Sequence, residues 1–67
     1  MDTIEITKEI DRVLELFGMT GVKAAEAMGV TYATFNSKKN PNNDRHKFNQ
    51  KNLDDLKNFI REAFQKL

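Results

Sequence analysis

Residues 23–36 read KAAEAMGVTYATFN, and the order of residue types in this stretch decides how the chain folds. A face of small and flexible apolar residues (Ala24, Ala25, Met28) runs into Gly29. Val30 follows, then Thr31, a residue type that caps helix N-termini, and four positions later the bulky Phe35. Gly29 supplies the left-handed backbone that a sharp corner needs, and Thr31 opens a new helix directly after it. The stretch predicts two short helices meeting at a tight glycine corner. That is the physical content of a helix-turn-helix unit, here over about residues 20–39.

Upstream, Ile6, Ile10, Val13, Leu14 and Phe17 recur at helical spacing over about residues 4–17, with charged residues on the other side. Thr3 or Thr7 is the expected cap of that helix, Gly18 the left-handed residue after its end, and Thr20 the cap of the next helix. Downstream, Asn40-Pro41-Asn42-Asn43-Asp44 is a cluster of turn formers without periodicity, read as part of an exposed loop over 40–47. Residues 45–51 are expected to form a short helical turn holding Phe48 inward. Asn52 then reads as an N-cap, with Asp54 and Asp55 set against the positive end of the helix dipole. The last helix, about 53–66, carries Leu53, Leu56, Phe59, Ile60, Ala63, Phe64 and Leu67 on a wide apolar stripe. No stretch alternates long enough for a strand. The expected fold is all-α, a compact four- to five-helix bundle containing a helix-turn-helix, with residues 1–67 as one domain.

Sixty-seven residues are too few for an internal substrate pocket with its supporting layer of residues. Without cysteine, neither disulfides nor a thiolate zinc site can add stability, which leaves helix packing and self-association. The absence of cysteine fits a reducing, intracellular setting. Apolar runs are short and the N-terminus is acidic, so neither a membrane span nor a signal peptide is expected. The expected place is the cytoplasm of a bacterial or phage-infected cell.

The net charge of +1 conceals an uneven distribution. Residues 1–37 sum to −3, six acidic against three basic side chains, and residues 52–67 sum to zero. Residues 38–51 sum to +4 through Lys38, Lys39, Arg45, Lys47 and Lys51 against Asp44. This cationic block follows the third helix directly, where flanking backbone approaches phosphates if that helix enters a DNA groove.

With these residues in view, the chain resembles the Cro/lambda-repressor-like helix-turn-helix family over residues 20–39 and 52–64. Ala25 matches that family's small residue midway along the first motif helix, and Gly29 its corner. Ala24, Met28, Val30 and Phe35 match the flanking apolar positions, and Asn52, Leu53 and Leu56 the start of the closing helix. Two positions depart from the pattern. Gly21 stands where the family commonly has glutamine, leaving a bare backbone N–H to meet a phosphate. Lys38 stands where an apolar residue is usual, and its methylenes can pack inward while the ammonium reaches water or phosphate. The resemblance implies a small transcriptional regulator, repressor-like, reading double-stranded DNA.

With Phe35 inward, Tyr32, Asn36 and Lys39 are expected on the opposite, exposed face of the third helix, with Ala33 and Ser37 beside them. Tyr32, Ala33, Asn36 and Ser37 are the candidate base readers. Asparagine pairs bidentately with adenine and an alanine methyl meets that of thymine, each good bidentate pair discriminating by about 1–3 kcal/mol. Thr20, Thr31, Thr34, Lys38, Lys39, Arg45 and Lys47 are the candidate phosphate contacts. The same seam also suits any helical hairpin, and a cationic loop can be merely solvated. His46, the only histidine, has no carboxylate or thiol cluster around it, so no metal site, cofactor, small-molecule substrate or catalysis is expected. The acidic outer face of the first helix is expected to point away from DNA. The wide stripe on the last helix either closes the core or pairs two copies, and a two-fold dimer would read half-sites ~34 Å apart. A different use of the same fold is a protein-interaction module of antitoxin or adaptor type, gripping a partner through that last helix.

Overall fold

The computed structural model describes residues 2–40 and 47–66, and every regular element among them is a helix. These are α1 (Thr3–Phe17), α2 (Gly21–Met28), α3 (Tyr32–Lys39) and α4 (Gln50–Gln65). The all-helical expectation holds with four helices among the described residues, and none of the four is long and apolar enough to cross a membrane. Arg45, His46, Leu67 and most of the expected exposed loop lie outside the described residues.

The corners form where the sequence places them. Gly18 and Gly29 close α1 and α2 at φ 63° and 70°, the left-handed region in which a Cβ is costly. Space around Gly29 is open, so backbone conformation alone demands glycine there. Thr20 and Thr31 cap α2 and α3 by accepting from the backbone N–H groups of Lys23 and Thr34, at 3.2 and 3.1 Å.

Two helix starts differ from expectation. Asp2, not Thr3 or Thr7, caps α1, its carboxylate accepting from the Glu5 N–H at 2.8 Å. Thr7 instead donates its hydroxyl to the Thr3 carbonyl one turn back, at 2.9 Å. The cap of α4 is Asn49 rather than Asn52, so the helix runs Gln50–Gln65 instead of starting near 53. Asn49 and Asn52 form a reciprocal capping box, each side-chain oxygen accepting from the other's backbone N–H at 2.9 and 3.0 Å. Asn52 is buried, only 6% exposed. Gln50 and Lys51, expected in a separate helical turn, form the first turn of α4, while Lys47–Asn49 are not helical. Asp54 and Asp55 therefore stand one turn inside the helix. They accept from Gln50 and Lys51 at 3.0 and 2.7 Å rather than facing the helix end.

One core joins all four helices. Ile6, Ile10, Val13 and Leu14 come from α1, Ala24, Ala25 and Met28 from α2, and Phe35 alone from α3. Leu53 and Leu56 come from α4, and Phe48 turns inward from the segment before it, its ring centroid 5.5 Å from that of Phe35. α2 packs on both α3 and α4, and α1 on α4. The small side chains of Ala24 and Ala25 let the helices approach, and the aromatic pair fills the space left beside them.

The apolar stripes at the far ends of α1 and α4 touch this core only through Met19 and Ile60. Phe17 is 45% and Phe64 57% exposed, Phe59 and Ile60 are partly buried, and Ala63 is exposed. Closing the core accounts for Leu53, Leu56 and part of Ile60, and leaves Ala63 and Phe64 exposed.

Candidate functional site

α3 has the sequence YATFNSKK, with two lysines and no acidic residue, and it buries only Phe35. Tyr32, Ala33, Asn36 and Lys39 are exposed, and Ser37 is partly covered. The expected placement of Tyr32, Asn36 and Lys39 opposite Phe35 needs correction. At 100° per residue, positions three before and four after Phe35 flank it rather than oppose it. Tyr32 accordingly stacks on Phe35, with centroids 6.5 Å apart and planes 11° from parallel, and remains 50% exposed. Ala33 and Ser37 occupy the side away from Phe35, and Asn36 lies beside them.

Gly21 explains how Tyr32 can lie so low. A Cβ at position 21 would stand 3.0 Å from Tyr32 Cε1 and 3.2 Å from Phe35 Cε1, closer than side chains ordinarily pack. Gly21 thus does more than bare a backbone N–H. It opens the slot through which the Tyr32 ring spans from the first residue of α3 to the first residue of α2.

The candidate contacts fall into two groups at the two ends of α3, a helix about 12 Å long. At its start stand Thr31, Thr34 and Tyr32, with Thr20 next to Gly21. Thr31 donates its hydroxyl to Thr34 Oγ1 at 2.9 Å, and Thr34 keeps its own hydrogen to donate. Thr20 likewise accepts in its cap and keeps its O–H hydrogen. At the other end, Lys38 donates to the Lys47 carbonyl at 3.1 Å. Its ammonium ties the end of α3 to the segment before α4 instead of standing wholly in water, with two donors left. Lys39 is exposed.

This second end continues onto a helix that had no part in the sequence-derived site. Thr3, Ile4, Thr7 and Lys8 of α1 line a groove of ≈ 500 Å³ with Lys38, Lys39, Asn40 and Lys47. Neither Ile4 nor Lys8 carries a signal for this role, because which end of α1 meets α3 is a tertiary outcome.

A second groove, of ≈ 360 Å³, has an apolar lining at the opposite end of α1. Phe17 meets Phe64 edge to face at 5.9 Å, Met19, Ile60 and Ala63 complete the walls, and the Lys23 ammonium lies 5.7 Å from the Phe59 ring centroid. Among the described residues, no three histidine or acidic side chains come together as a metal site. Comparison with protein-family models, curated proteins and solved structures gives no match.

Proposed function

We propose that this chain is a sequence-specific double-stranded DNA-binding protein, a repressor-like regulator of the Cro/lambda-repressor kind acting in the cytoplasm. α2 and α3 serve as its helix-turn-helix, and α3 enters the major groove. The observation that carries this reading is the makeup of α3, eight residues with one side chain in the core, two lysines and no acid. A helix retained for packing alone would bury a wider stripe. Ala33, Asn36 and Ser37 face the bases, and Tyr32 reads the edge of the site from its slot over Gly21. Thr20, Thr31 and Thr34 hold phosphates at one end of α3, and Lys38, Lys39 and Lys47 at the other, with Arg45, outside the described residues, as a further phosphate contact. No cofactor and no catalysis enter this function. The apolar groove of Phe17, Phe59, Ile60 and Phe64 supports pairing of two copies through α4, which doubles the sequence read.

Selection from a random duplex library tests the proposal. One enriched motif is the expected result, with Asn36→Ala relaxing preference at a single base and Lys39→Gln weakening all duplexes alike. Tyr32 is the only tyrosine and tryptophan is absent, so intrinsic fluorescence reports directly on the start of α3 during titration. Failure to bind any duplex at moderate salt overturns the proposal. The same apolar groove favours a second reading, an interaction module holding one protein partner. It gains support if the chain forms a stoichiometric complex while ignoring DNA.

A further inference from the structure

We infer that the groove between the start of α1 and the end of α3 is a seat for the sugar-phosphate backbone, with Lys8 as its second cationic wall. This rests on the DNA-binding function proposed above and assigns to α1 a contact that its acidic composition argues against. Four lysines, Lys8, Lys38, Lys39 and Lys47, line the groove, and among the described residues no acidic side chain does. Lys8 and Lys39 make no ion pair among the described residues, whereas Arg12, Lys23 and Lys51 are each held by a carboxylate.

Among the described residues, the acids of α1 stay off the groove wall. Glu9 is engaged by Arg12, and Glu5, a helical neighbour of Lys8 three residues before it, makes no ion pair with it among the described residues and is not on the groove wall. Ile4, Thr7 and Lys8 share the other flank, at spacings of three and four residues. Asp11 follows one turn later on the same flank and sets the boundary of the cationic surface.

The walls suit a polymer that is both anionic and partly apolar. Ile4 is 67% exposed on the groove wall, and among the described lining residues none is another large apolar side chain. Together with the lysine methylenes it offers a surface for the deoxyribose edge, while the ammonium groups meet phosphate oxygens. A free inorganic anion would make no use of Ile4. The Lys38–Lys47 bond ties the end of α3 to the segment before α4, so this wall of the groove is already ordered before binding.

The test is a salt titration of duplex binding by the intact protein and five variants. Lys8→Gln keeps a good helix former at an exposed position, and its fold is checked by circular dichroism. We expect it to weaken binding about five- to tenfold at 0.1 M salt on every sequence and to lower the salt slope by about one. Lys8→Arg should restore both. Lys66→Gln removes the same charge near the other end of the molecule and should change neither. Asp11→Asn should strengthen binding, because it removes repulsion at the groove boundary. If Lys39→Gln lowers the slope while Lys8→Gln does not, the backbone seat is refuted and the proposed function stands. Equal effects of Lys8→Gln and Lys66→Gln refute it as well, by showing a response to net charge alone. If the unmodified protein binds no duplex, both proposals fall together.

Discussion

The two ends of α1 serve surfaces of opposite chemistry. At its start, Ile4 and Lys8 join Lys38, Lys39 and Lys47 in a cationic groove. At its finish, Phe17 joins Met19, Phe59, Ile60 and Phe64 in an apolar one. About 20 Å of helix separates them. α1 buries its middle against the core and lends each end to a neighbour, α3 at one and α4 at the other. A short chain can therefore carry two distinct surfaces on one core without either intruding on the other. The cationic end suits a salt-sensitive polyanion contact, and the apolar end a salt-insensitive one with another protein surface.

The largest expected effect removes the separation altogether. Phe35 links α3 to Phe48 and to the Tyr32 ring, so Phe35→Ala should cost about 3–5 kcal/mol in urea unfolding and abolish function at both ends. A Phe35→Ala protein that kept full duplex affinity would show that the two ends do not share a core.

A crossed pair of substitutions comes next. Phe64→Asn should weaken self-association about tenfold or more in sedimentation and leave the salt slope for DNA unchanged. Lys39→Gln should lower duplex affinity about five- to tenfold at 0.1 M salt and leave association unchanged. Effects that crossed over would contradict independent surfaces.

Asn52→Ala should cost about 1–3 kcal/mol, because it leaves the Asn49 N–H without its partner at a partly buried site. Hydrogen exchange should locate the loosening around Phe48 and the Lys38–Lys47 bond, at the cationic end, while the Phe17–Phe64 contact persists.

Gly21→Ala should cost about 1 kcal/mol as helix propensity partly offsets the crowding of Phe35. Displacement of the Tyr32 ring should be visible in its fluorescence, and an unchanged spectrum would contradict the slot.

The smallest effect lies between the two ends. The Arg12 hydrogen bond holds the Glu9 carboxyl below the ordinary carboxylate range. A lowered folded-state value stabilises the protein above that range and ceases to do so as pH falls through it. Glu9→Gln should therefore lower the melting temperature slightly at neutral pH and not at all in strong acid, without altering either groove.

The contrast between the ends also separates what was legible from what was not. The α2–α3 corner could be read residue by residue, since Thr20, Gly29 and Thr31 act through hydrogen bonds and backbone angles within their own neighbourhood. The inward turn of Phe35 was equally readable from spacing, whereas Phe48 turns inward without the helical turn expected around it. Spacing alone places the start of α4 three residues late, because two asparagines three apart can each cap and only burial of Asn52 within the box distinguishes them. The cap of α1 is Asp2, which with Glu5 carries the spacing of a capping pair.

The residue order alone was sufficient for an all-helical fold of four to five helices, its glycine corners, the threonine caps of α2 and α3, and a third helix with Phe35 inward, because these depend on forces acting across one or two turns. Tertiary packing alone decided that Tyr32 lies over Gly21, that Lys38 is tied to the Lys47 carbonyl, and that α1 meets cations at one end and aromatics at the other. Those contacts join residues distant in the chain. Their geometry follows from how helices of unequal length share one small core, and no local pattern encodes it.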